Sequence, residues 1–103
     1  MGDSKIEKSG NIVTVTPGKN IVASMADDFR AELHTLVQEN PEQIIIDMSE
    51  VEMVDSVGIG VMIAVHNSLA KHKSTLKIKN ADKSILTLFK TMRLDRHFSV
   101  EGV

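Results

Sequence analysis

Cysteine, tryptophan and tyrosine are absent from the 103 residues, and proline occurs only twice. Without cysteine there is no disulfide framework, no cysteine-based zinc site and no thiol nucleophile, which is compatible with a reducing compartment but does not establish one. Three phenylalanines are the only aromatic residues, too few to stack bases. Charge of one sign is not in excess either. Twelve Lys and Arg stand against fourteen Asp and Glu, a formal −2 that argues against broad electrostatic binding to nucleic acid. Long apolar runs are missing. The most apolar stretch, Val57 to Val65, contains two glycines and falls well short of the roughly 20 residues that span a bilayer. The start, MGDSKIEKSG, has no apolar segment of the secretory kind, and Ile6 stands where a myristoylation sequence needs Ser or Thr. The expectation is a cytoplasmic protein without direct nucleic-acid or membrane partners.

What is present suffices for one domain over residues 1–103, with its core at about 11–100. Apolar residues make up 42% of the chain, and a fold of this mass keeps roughly 5,700 Å² exposed out of roughly 16,000 Å² unfolded. The modest net charge conceals an asymmetry. From Val22 to Asp55 nine acids accompany one base, Arg30; from His66 to His97 eight bases accompany two acids, Asp82 and Asp95. Such blocks describe either two solvated faces or two surfaces that steer protein partners.

Periodicity supplies the elements. NIVTVT, closed by Pro17-Gly18, predicts a strand at about 11–16, with a weaker one near Lys5–Lys8 and a turn at Ser9-Gly10. Ser24 followed by Asp27 has the form of a helix start, and Met25, Phe29, Leu33, Leu36 and Val37 share a helical face ended by Asn40-Pro41. QIIIDM, 43–48, reads as a strand buried on both faces. A helix follows from about Ser56 to Lys73, then the alternating strand TLKIK at 75–79. A helix from about 80–83 to Thr91 and a short strand at 97–100 complete the chain. Strand, helix, strand in the centre implies a right-handed crossover with 43–48 parallel to 75–79. The fold class is α/β: a small mixed sheet of four to five strands with helices packed mainly on one face.

The chemistry concentrates where the buried strand meets the central helix, at Met53-Val54-Asp55-Ser56-Val57-Gly58-Ile59-Gly60. First-turn N–H groups lack partners and the helix dipole favours negative charge there. Ser56 suits the capping position. Gly58 and Gly60 are poor helix formers, each costing on the order of 1 kcal/mol relative to Ala, which points to a close backbone approach by a neighbour or a partner. Three ligand or enzyme patterns fail here. A nucleophile elbow needs Gly where Val54 stands, a phosphate-binding loop needs Gly-Lys-Ser/Thr, and a dinucleotide fingerprint needs Gly where Ile63 stands. The four histidines, His34, His66, His72 and His97, show no ligand spacing, so no metal and no cofactor is expected. Asp47 fits a cap or loop bond. Met53 and Met62 could form an adaptable contact surface near the turn. The helix beyond it shows no polar stripe before His66, as in a central core helix or one with an exposed apolar patch.

These residues carry a resemblance. IIIDMSEVEMVDSVGIGVM resembles the signature of the STAS family of anti-sigma factor antagonists, an apolar strand ending in Asp-Leu/Met-Ser followed by Asp-Ser-x-Gly-Ile/Leu-Gly at a helix start. The likeness extends from about 11 to 100 through TLKIKNA and ILTLFKTMRLDRHFSV. It implies a non-enzymatic switch. Ser56 would be phosphorylated by an anti-sigma factor serine kinase and reset by a PP2C-type serine phosphatase, and the unmodified form would bind the kinase and free the sigma factor. Met53, Asp55, Val57, Gly58, Ile59, Gly60 and Met62 would form the switch turn and partner surface. The alternative within the family is a scaffold or accessory subunit of a signalling or lipid-transport complex, with Ser56 as a cap only. One segment departs from the pattern. Where the family often shows Gly-x-hydrophobic-Asp before its first helix, this chain reads Gly18-Lys19-Asn20-Ile21-Val22-Ala23-Ser24, one residue longer and without the Asp.

Overall fold

Alternation in Ile12-Val13-Thr14-Val15-Thr16 sends the two valines to one side of a strand and the threonines to the other, and the same rule governs each strand that follows. The computed structural model describes residues 4–18 and 20–103. Its elements run β1 (Lys5–Ser9), β2 (Ile12–Thr16), α1 (Ala23–Gln38), β3 (Gln43–Asp47), α2 (Ser56–Lys71), β4 (Thr75–Ala81), α3 (Lys83–Thr91) and β5 (Ser99–Gly102), with a 3-10 turn at Leu94–Arg96 before β5. The sheet order is β1-β2-β3-β4-β5. β1 pairs antiparallel with β2; the other pairs are parallel, β3 meeting β4 with Ile44 opposite Leu76 and Ile46 opposite Ile78. The parallel pairing of β3 with β4 across α2 is thus as the sequence predicts.

Val15, Ile44, Ile46 and Ile78 have no exposed surface, and α1 and α2 cover them with Phe29, Leu33, Val61 and Met62. Each fully buried side chain of this size contributes roughly 1.5–3 kcal/mol. α3 closes the far side with Ile85 and Phe89, whose ring meets Phe98 edge-on at 6.3 Å between centroids. The other face of the sheet is open. Thr14, Ile45 and Lys77 lie side by side there and are half-buried, which corrects the expectation that β3 is covered on both sides. Its β-branched run reflects position in the sheet more than a second layer of helices. The final strand lies two residues later than expected, because Leu94–Arg96 tucks Leu94 and Phe98 into the core first.

Candidate functional site

Two loops join to build the turn before α2. Ile21, arriving from β2, forms a parallel bridge with Val54. Its N–H donates to the Met53 carbonyl at 3.0 Å, and its own carbonyl accepts from the Asp55 N–H at 3.2 Å. The side-chain oxygen of Asn20 accepts from the N–H groups of Glu52 and Met53 at 2.8 and 3.0 Å. Asn20 and Ile21, in the segment that departs from the family pattern, are therefore part of the turn's framework.

Asp55 ties the two helix starts together. Its Oδ1 accepts from the Gly58 N–H at 2.9 Å and its Oδ2 from the Ala23 N–H, the first residue of α1, also at 2.9 Å. Those two donors, Gly58 first, hold its carboxyl below the usual aspartate value. Two expectations are corrected here. Asp55, not Ser56, occupies the cap of α2, and Ser56 is the first helical residue, with its side chain exposed. α1 begins at Ala23 behind Val22, without a cap from Ser24, because the cap comes from Asp55 thirty-two residues away. Asp27 points into solvent instead, at 99% side-chain exposure.

The glycines divide by role. A Cβ on Gly58 would collide with the carbonyl oxygen of Ile21 and come within 2.8 Å of the Ile21 Cγ2, so the close approach of α2 to the Ile21 bridge requires glycine. A Cβ on Gly60 would touch nothing within 4 Å. Gly60 lies exposed, as do Met53 at 57% and Val57 at 41%. Ile59 and Met62 lie elsewhere: both are buried in the core, Met62 completely, which corrects the reading of Met62 as a contact residue. The exposed part of the site thus comprises Met53, Ser56, Val57 and Gly60, set on a turn rimmed by the exposed Glu50 and Glu52.

Away from the turn, Asp47 closes β3. Burial would raise its pKa, but donors from the Asn80 amide and the Ser49 N–H, each at 3.0 Å, together with Lys79, hold it below the usual range. The Asn80 bond is a structural one between the ends of the neighbouring strands β3 and β4. The fold also brings His66 and His97 together, ring centroids 6.1 Å apart, which their spacing in the sequence did not signal. Among the described residues no three potential ligands converge on a metal position, and no helix is long and apolar enough to cross a membrane.

Comparisons with known proteins agree with this fold. The profile of the STAS domain matches residues 3–102. No curated protein matches the chain in sequence. Among solved structures, an anti-sigma factor antagonist from Mycobacterium paratuberculosis superposes with a TM-score of 0.87 at 19% identity, covering 100% of this chain and 87% of that one. The Bacillus cell fate determinant SpoIIAA in its phosphorylated form gives 0.75 at 15% identity, covering 94% and 89%. A sulfate transporter family protein from Wolinella succinogenes gives 0.79 at 14% identity, covering 92% and 80%. At these identities the likeness is one of fold.

Proposed function

The chain belongs to the STAS domain family, and from that premise we propose that it is an anti-sigma factor antagonist: a cytoplasmic, non-enzymatic switch thrown by phosphorylation of Ser56. In its unmodified form it binds an anti-sigma serine kinase and so frees the sigma factor; the kinase then phosphorylates Ser56, and a PP2C-type phosphatase removes the phosphate. The observation that carries this reading is the division of labour between adjacent residues. Asp55 is fully engaged in joining the two helices, while the Ser56 side chain is exposed on the first turn between Met53 and Val57. A kinase can reach that hydroxyl without unfolding anything.

The physics of the switch follows from position. Phosphate on Ser56 adds about −1.5 to −2 charge at a helix N-terminus, where the dipole tolerates it, so the fold stays as it is. The same charge lies beside Asp55 and inside any interface built on Met53 and Val57. A partner docking there would have to desolvate a dianion, which is strongly unfavourable. Binding is lost with no conformational change required.

The test is direct. With ATP and its cognate anti-sigma kinase, mass spectrometry should place one phosphate on Ser56. Ser56→Ala should bind the kinase without being modified, and Ser56→Asp should bind at least tenfold more weakly, on the order of the cost of one buried unpaired charge. Absence of phosphate, together with wild-type binding by Ser56→Asp, would overturn the switch and leave the scaffold or accessory role, a reading favoured by the likeness to the Wolinella transporter protein.

A further inference from the structure

A groove of about 470 Å³ runs between the edge strand β1 and helix α1, away from the switch turn. Ile6 and Leu36 line its apolar part, and Asp28, Glu32 and Glu39 supply its charge along with Lys8. Ile6 is 39% exposed, unusual for a branched apolar residue on the helix-covered side of a sheet. The lysine is already engaged, its Nζ lying 2.6 Å from a Glu39 carboxylate oxygen. Glu32 is not. Its Oε1 is shut off from solvent and has no hydrogen-bond donor among the described residues. With Lys8 paired to Glu39, Asp28 and Glu32 leave the groove net acidic, which suits a cationic occupant.

We propose that this groove receives an extended basic segment of a partner protein, which adds as a further strand along β1 and sets an Arg or Lys against Glu32. The outer edge of β1 faces no strand among the described residues, so its outward N–H and C=O groups are available to a main chain laid alongside. Alternate side chains of an added strand point to the helix side, where an apolar residue would cover Ile6 and a cation would meet Glu32 and Asp28. A second copy of this chain fits poorly. Antiparallel pairing of two β1 edges would bring the acidic faces of both α1 helices together, against charge complementarity. This surface is separate from Ser56, and its failure would leave the switch untouched.

The probe is a short capped peptide of alternating arginine and valine, titrated into the full chain at about 0.15 M salt while backbone amide NMR shifts are followed. Saturable shifts should concentrate on Lys5–Ser9 and on the groove side of α1. Methylating the peptide's alternate backbone nitrogens should weaken binding about tenfold or more, because strand addition needs those donors. Glu32→Gln and Asp28→Asn should each weaken it several-fold, with unchanged urea midpoints confirming that both variants fold. Equal binding by the methylated peptide, shifts confined to other acidic surfaces, or indifference to Glu32→Gln would each overturn the proposal, as would a glutamate-valine peptide binding as well.

Discussion

Asp55 and Ser56 are neighbours with opposite obligations, one turned to the fold and the other to solvent. Because hydrogen bonds from Gly58 and Ala23 lower the Asp55 pKa in the folded chain, its contribution to stability is present above the ordinary value of 3.8 and is lost as pH falls through the folded value. Asp55→Asn should therefore lower the urea midpoint at pH 7, and the gap to wild type should narrow steadily on acidification below about pH 4. An undiminished gap at acid pH would mean that the charge is not what matters. The two glycines should part company. Gly58→Ala should destabilise by about 1–3 kcal/mol through its collision with the Ile21 backbone. Gly60→Ala should stabilise by up to about 1 kcal/mol, its Cβ meeting nothing. Thermal unfolding of the pair decides. At this scale the sequence is only partly legible. Two glycines in one turn signal a close approach, but nothing local tells which of them meets a neighbour. Nor does it reveal that the carboxylate, rather than the serine, would cap both helices.

At the scale of elements the sequence speaks more clearly, since periodicity is local. β2, β3 and β4 and the helical faces of α1 and α3 lie where alternation and i, i+3, i+4 spacing place them. The start of α1 and the position of β5 were not legible, because long-range partners set them: Asp55 for the one, and the burial of Leu94 and Phe98 for the other. That last packing has a measurable weight. Phe89 is completely buried and its ring meets Phe98 edge-on, so Phe89→Ala should cost about 3–5 kcal/mol in denaturant titrations. A loss below about 1 kcal/mol would mean that α3 closes the core far more loosely than its contacts indicate.

The molecule as a whole exposes 5,910 Å², close to the surface expected for its mass, so little of it is held away from the main body. Acids of the one block lie on α1 and in the loop before α2, bases of the other on β4, α3 and the turn after it, and the two blocks meet where Lys79 neighbours Asp47. The sequence shows the blocks, and only the sheet register shows where they touch. A basic partner docking on the acid-rimmed turn should feel that field. Its association rate should fall by about tenfold or more between low and high salt while dissociation changes little, as stopped-flow mixing can measure. The bridge at Ile21 bears on how such a protein can diversify. Buried Pro17 fixes the chain where β2 ends, and the Asn20 and Ile21 bonds fix it again before α1. Residues can be gained or lost between those two fastenings without moving the cap or the serine. A change of length there leaves the exposed hydroxyl of Ser56 where it stands.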